Sequence, residues 1–179
     1  RLQISKNTDA TKKSQFGQFL TPARTAAFMA GLFPITGGTC QLLDAGAGIG
    51  SLSAAFLDRW RSGSLHFDRV DLDAFEIDAM LHAALMDTLA RYKRDDFTLR
   101  LRSEDFIQVA ADAVAGGLFG QTLPKYTHII LNPPYKKISN QSAHRMALRR
   151  AGIETVNLYS AFVALALALA APRAHLVAI

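Results

Sequence analysis

Cys40-Gln41-Leu42-Leu43-Asp44-Ala45-Gly46-Ala47-Gly48-Ile49-Gly50 sets a short apolar run against three alternating glycines. Residues 40–44 read as a buried strand, and residues 51–61 behind the glycines carry apolar positions at helical spacing. A strand that feeds a helix through a tight turn is the opening unit of a parallel α/β sheet. Glycine permits the bend and lets a ligand approach main-chain atoms with no Cβ in the way. The helix that follows presents its first N–H groups toward any carboxylate or phosphate in front of it. The glycines are spaced GxGxG, and Ser51 stands where a dinucleotide-type GxGxxG would place its third. Alone, the stretch reads equally as the turn of a nucleoside-bearing cofactor site and as a tight turn with no ligand.

The same alternation continues on both sides. Upstream, residues 21–32 have a helical pattern, with Thr21 as N-cap and Pro22 at the first helical position, and Gly37-Gly38 interrupts the chain before the strand. Downstream, an extended segment finishes at Glu76, where an acid can accept both hydrogen bonds of a ribose diol; a surface carboxylate at a helix start is the plainer reading. Asp78 then caps a helix to about Lys93, with Met80, Leu81, Ala84, Leu85 and Leu89 on its apolar face. Residues 97–102 alternate as a strand, residues 105–115 are helical, and residues 128–131 form an apolar strand. A basic polar segment precedes a helix over 157–171 and a strand over 174–179. The predicted fold is α/β: a Rossmann-like, open, mostly parallel sheet with helices on both faces. Residues 1–15 are polar and aperiodic, a flexible arm before one domain over 16–179. The final strand reads as cut at Ile179, so a fragment ending after the fifth strand of a longer protein is expected.

Composition narrows the function classes. Half the residues are apolar and a fifth are charged, a globular balance. The one cysteine, Cys40, allows neither an internal disulfide nor a CxxC metal site, and His66, His82, His128, His144 and His175 lack ligand spacing, so no metal is expected. The apolar run over 158–171 is shorter than the roughly 20 residues a membrane-spanning helix needs. No membrane partner is expected, and a cytoplasmic location is. The net charge is +5, with Lys12 and Lys13 near the start and Lys136, Lys137, Arg145, Arg149 and Arg150 clustered later. Such a cluster suits a polyanion such as DNA; a solvated face accounts for it as well.

The most specific motif is Asn132-Pro133-Pro134-Tyr135, directly after the apolar strand. Two prolines fix the local backbone and remove two N–H donors. What remains are acceptors: the Asn132 side-chain oxygen and the carbonyls of the fixed segment. An exocyclic amine supplies matching donors. Its lone pair is normally delocalised into the base, and two acceptors on its hydrogens favour a pyramidal nitrogen with the pair released toward an electrophile. Tyr135 offers an aromatic face on which a planar base can stack.

Together these segments resemble the class I S-adenosylmethionine-dependent methyltransferases, and most of all the gamma-type N6-adenine DNA methyltransferases of bacterial restriction–modification systems. The resemblance rests on Gln18-Phe19-Leu20-Thr21-Pro22, Asp44-Ala45-Gly46-Ala47-Gly48-Ile49-Gly50, Glu76-Ile77-Asp78, Asp105-Phe106, and Asn132-Pro133-Pro134-Tyr135-Lys136-Lys137-Ile138. It implies S-adenosylmethionine as cofactor. Phe19, Thr21 and the turn from Asp44 and Ala45 through Gly46, Gly48 and Gly50 would hold its methionine end. Glu76, with Ile77 beside it, would bind the ribose, and Asp105 would accept from the adenine amino group with Phe106 packed nearby. Asn132, Pro133, Pro134 and Tyr135 would hold the target base, with Asn132 also at the cofactor. Asn157-Leu158-Tyr159 resembles the segment that follows the tetrad in this family. Taken from the residues alone, Asp105 and Phe106 read as a helix cap and a core aromatic.

The resemblance further implies double-stranded DNA as substrate, a restriction endonuclease, fused or separate, as functional partner, and a target-recognition region outside this stretch. Lys136, Lys137, Arg145, Arg149 and Arg150 are the candidate phosphate contacts; Arg145 and Arg149, four apart, share a face if their segment is helical. A flipped adenine would receive the methyl group in one direct transfer, and Cys40, ahead of the glycine turn, is misplaced for the thiolate attack of cytosine C5 methylation. Three rivals are weighed against this: a methyltransferase acting on a protein glutamine amide or an RNA base, which the Phe-x-Thr-Pro segment disfavours; a nicotinamide oxidoreductase, disfavoured by the glycine spacing and the tetrad; and a non-catalytic DNA-binding subunit, which would need neither motif.

Overall fold

A computed structural model of the chain describes residues 20–116 and 122–179. The expected arm, Phe19, Lys12 and Lys13 lie outside the described residues. Eleven elements follow in order among the described residues: α1 (Ala23–Gly31), β1 (Gly37–Ala45), α2 (Ser51–Arg61), β2 (His66–Phe75), α3 (Ala79–Ala90), β3 (Phe97–Arg102), α4 (Phe106–Ala115), β4 (Tyr126–Leu131), α5 (Ala143–Arg150), α6 (Leu158–Ala168) and β5 (Ala170–Ala178). All strand pairs are parallel, in the order β3-β2-β1-β4-β5.

A parallel sheet buried on both faces needs strands that are apolar on both sides, because alternate side chains point to opposite faces. Leu42 of β1 joins the core on the face of α1, α2 and α3, while Leu43 joins the core under α4 and α6. Ile130 and Ile129 of β4 divide in the same way. The buried acids of β2 are paired: Asp71 accepts from Gln41 and Arg69, and the fully buried Asp73 from Arg100 and Tyr126. Unpaired, a carboxylate there would carry the full cost of desolvation.

Several local expectations are corrected. Pro22, not Thr21, is the N-cap of α1, since its extended ψ of 148° already turns the chain into the helix. Gly37 and Gly38 belong to β1, and a bulge with Gly38 at φ 80° absorbs the irregularity. Met80 is 70% exposed; α3 buries Leu81, Leu85 and Leu89, a narrower stripe than the expected face. The last helix stops at Ala168, because Ala170 already pairs with Tyr126 in the sheet and Pro172 follows.

The topology fixes where a ligand can sit. From β1 the chain moves outward through β2 to β3, then returns to place β4 on the other side of β1. Crossovers on opposite sides of β1 leave a crevice at the carboxyl ends of β1 and β4, the switch point at which open α/β sheets bind ligands. Leu42 and Leu43 pair with His128 and Ile129. Carried three residues further, this register sets Gly46 beside Asn132. The two sequence motifs therefore meet across one crevice.

Candidate active site

The glycine turn is closed by its own backbone. Gly46 and Ala47 donate to the Phe75 carbonyl at 2.9 and 2.8 Å, and Gly50 donates to the Ala47 carbonyl at 2.8 Å. Gly46, Gly48 and Gly50 take φ values of 82°, 58° and 80°, which L-residues with a Cβ rarely adopt. Gly50 is the N-cap of α2 and, having no side chain, makes no cap bond to the opening N–H groups of the helix.

Glu76 sits just past β2 and is buried. One carboxylate oxygen accepts from Gly48 N–H and the other from Asp78 N–H, both at 2.7 Å. Burial pushes its pKa up, and those two backbone donors oppose the rise. Through both oxygens the residue braces the glycine turn against the start of α3. Asp44 lies deeper. Fully buried, it accepts from Ser53 Oγ of α2 at 2.6 Å, while its Oδ1 has no hydrogen-bond partner among the described residues. Burial raises its pKa to about 7. Neither Asp44 nor Ala45 lines the cavity; both support the turn from below.

Asp105 caps α4, accepting from Ile107 and Gln108 N–H through Oδ1 at 2.9 and 3.3 Å. Its Oδ2 lies 2.6 Å from His144 Nε2 of α5. Burial opposes ionisation of Asp105, but the His144 hydrogen bond and charge override it and hold the carboxyl below its ordinary range. The same bond raises the His144 pKa. Phe106 is buried, its ring centroid 5.1 Å from those of both Phe75 and Phe162.

The tetrad forms the opposite wall. Asn132 Nδ2 donates to Thr21 Oγ1 at 3.1 Å, so the side chain expected to cap α1 reaches the end of β4 instead. Tyr135 is 55% exposed and stacks on Tyr159 at 5.5 Å between centroids and 15° between planes. The basic segment behind it folds back: Ile138 N–H donates to the Val156 carbonyl and Leu158 N–H to the Lys136 carbonyl, both at 2.8 Å. These bonds tie the tetrad to the start of α6, where Asn157 caps the helix through Tyr159 N–H.

Glycine turn, Glu76, Asp105 and tetrad surround one cavity of about 480 Å³. Thr21, Gly46, Gly48, Ile77 and Phe106 also line it, and so do Lys136 and Lys137. Gly50 stands outside the lining, packed toward α3. His144 and Phe162 line it without having been expected from sequence. Phe162 lies one turn beyond Leu158 on α6, a spacing that could have marked it. No local signal marks His144, because its role depends on α5 packing against α4.

The basic cluster divides. Lys137 is exposed near the mouth. Arg145 is 8% exposed, bonded to the Thr155 carbonyl and Glu154, so it is held inside the fold and is withdrawn as a phosphate contact. Arg149 does share a face with Arg145, and it too bonds Glu154; Arg150 bonds Asp112. Both remain exposed at the surface. Among the described residues, no three histidine, cysteine or acidic side chains gather as metal ligands, and no helix is long and apolar enough to cross a membrane.

A five-stranded parallel sheet in this order, with a glycine turn at its switch point, is the Rossmann-like fold of class I S-adenosylmethionine-dependent methyltransferases. The methyltransferase subunit of a type I restriction–modification system from Streptococcus thermophilus superposes with a TM-score of 0.61 at 17% identity, over 90% of this chain and 34% of that one. In sequence, the chain is 46% identical over 167 residues to the Type II methyltransferase M.BsuBI of Bacillus subtilis, covering 91% of this chain and 33% of the relative. It is 36% identical over 178 residues to the Type II methyltransferase M.PstI of Providencia stuartii, covering 96% of this chain and 34% of the relative. The kinship to methyltransferases of restriction–modification systems read from the motifs is borne out: the chain is similar to type II methyltransferases over nearly its whole length and spans about a third of theirs. No family model matches it.

Proposed function

We propose that this chain is the S-adenosylmethionine-binding, catalytic part of a DNA methyltransferase that methylates adenine at N6 in the modification half of a restriction–modification system. The observation that carries the reading is the meeting of the Asn132-Pro133-Pro134-Tyr135 corner with the glycine turn and Glu76 around one cavity.

The residues fit the cofactor. A Cβ at Gly48 would come within 3.3 Å of Leu20, and α2 opens at the turn without a side-chain cap. Glu76 would take the ribose hydroxyls. Asp105 would take the adenine amino group, beside the rings of Phe75, Phe106 and Phe162. The helix N-terminus and Thr21 would face the methionine carboxylate. When bound, the cofactor supplies a methyl group activated on a sulfonium.

This chain's own residues would then do three things. Asn132 Oδ1 and the fixed carbonyls beside it accept from the target amine and free its lone pair. Tyr135 stacks the flipped base. The prolines keep competing donors away, so most of the acceleration comes from positioning and from hydrogen bonds placed before reaction. Lys136, Lys137, Arg149 and Arg150 are proposed phosphate contacts.

The test is methyl transfer by the intact protein to DNA, RNA and protein substrates, with mass spectrometry of the digested products. N6-methyladenine is expected from DNA alone. Asn132→Ala should lose on the order of 10²–10³ in rate, as when one preorganised hydrogen-bonding group is removed elsewhere, while still binding cofactor. Methylated glutamine or RNA bases, or a fully active Asn132→Ala, would overturn the proposal.

A further inference from the structure

Asn132 can grip an amine in only one of its two amide orientations. Half a turn about Cβ–Cγ exchanges the oxygen, an acceptor, for NH2, a pair of donors. The target amine is itself a donor, so the reversed amide would oppose it. Neither proline can correct the error, since neither has an N–H to offer the oxygen. The orientation must be set from elsewhere in the fold.

Thr21 lies 111 residues earlier in the chain, and its Oγ1 accepts from Asn132 Nδ2 at 3.1 Å. Pro22 follows at φ −60° and ψ 148° as the N-cap of α1, and its carbonyl receives Ala26 N–H at 2.9 Å, so the backbone carrying Thr21 is fixed. With Nδ2 committed to Thr21, Oδ1 is left to the base. A hydroxyl has two acceptor lone pairs and one proton. After accepting from Asn132 it can still donate, and Thr21 lines the same cavity. An anionic group there that accepts a hydrogen bond from this O–H would turn the hydroxyl's lone pairs toward Asn132.

We infer that Thr21 is a positioning residue for methyl transfer: its hydroxyl locks the Asn132 amide with the oxygen toward the target amine and couples that lock to an anion in the cofactor cavity. The inference rests on the proposed adenine methylation. It assigns Thr21 a part in the reaction step beyond cofactor binding.

The test compares Thr21→Val, which keeps the shape and removes the hydroxyl, with Thr21→Ser, which keeps the hydroxyl. Both are made in the intact enzyme and again on an Asn132→Ala background. Methyl transfer to target DNA is followed in single turnover at saturating cofactor, with cofactor affinity measured by calorimetry. Thr21→Val should slow transfer by roughly 10–100-fold, the scale of a misplaced reacting group. Thr21→Ser should recover most of that rate, and Thr21→Val should cost nothing further once Asn132 is alanine. If Thr21→Val does not fold, Thr21→Ala carries the same expectation. An unchanged rate, a loss confined to cofactor affinity, or an equal loss on both backgrounds overturns the inference alone. A wild-type enzyme that leaves adenine unmethylated overturns it together with the proposed function.

Discussion

Alanine at Gly46, Gly48 and Gly50 in turn should separate what the glycine turn does for the fold from what it does for the cofactor. All three have positive φ, so each substitution carries about 1–2 kcal/mol of left-handed strain. Their surroundings differ. A Cβ at Gly46 would meet Phe162 at 3.8 Å, an ordinary contact, and one at Gly48 would meet the half-buried Leu20 at 3.3 Å. At Gly50 it would stand 2.8 Å from Leu85 Cδ1, 3.4 Å from Thr88 and 3.6 Å from Leu89. Leu85 is fully buried, so its methyl group must turn inside a filled core, which adds about 1–3 kcal/mol. Gly50→Ala should therefore lose about 2–5 kcal/mol in urea denaturation, and Gly46→Ala and Gly48→Ala about 1–2. The order reverses for S-adenosylmethionine affinity, because Gly46 and Gly48 line the cavity and Gly50 does not. Calorimetry on the folded fraction reads that second order. Equal stability losses at all three positions, or the greatest affinity loss at Gly50, would refute the assignment of Gly50 to packing against α3.

Two further outcomes follow from the charges. The His144 pKa is raised from its ordinary 6.5 by Asp105, so its contribution to stability is full below 6.5 and fades as pH rises through the higher folded value. Asp105 is lowered from 3.8, so its contribution is present above 3.8 and fades as pH falls through the lower folded value. The pair should stabilise most between 3.8 and 6.5. An NMR titration should place His144 above 6.5 in the wild type and lower in Asp105→Asn; a midpoint at or below 6.5 with Asp105 intact would count against the bond. Arg145→Ala should cost about 1–3 kcal/mol of stability and leave the salt dependence of DNA binding unchanged. Lys137→Ala should leave stability within about 0.5 kcal/mol and lower the slope of log K against log salt by about 0.9, one phosphate contact. A reversed pair of results would return Arg145 to the DNA interface.

Features written in neighbouring residues were legible, and those made by distant ones were not. The bounds of α2 and β3 follow from local periodicity, and Asp78 and Asp105 cap the helices they precede. The two site motifs could be read because each needs its own short backbone geometry, glycine in one and proline in the other. Thr21 was read as a cap because a threonine before Pro-Ala-Arg has that local option; the competing partner, Asn132, becomes visible only once β4 lies beside β1. Arg145 looked like its exposed neighbours because the sequence cannot tell which face of α5 turns toward Glu154. Likewise, the alternating alanines and leucines after Leu165 favour helix locally, and the pairing of Ala170 with Tyr126 overrides it.

The central claim is that the Asn132 corner and the glycine turn hold one amine and one activated methyl group side by side. A crystal structure of the intact protein with a non-reactive cofactor analogue and target DNA tests this most directly. The account predicts the flipped base's amino nitrogen about 2.7–3.2 Å from Asn132 Oδ1. It also predicts the atom that replaces the methyl group about 3–3.5 Å from that nitrogen. An analogue bound away from Gly46, Gly48 and Glu76, or a base held where Asn132 cannot reach it, would contradict the account.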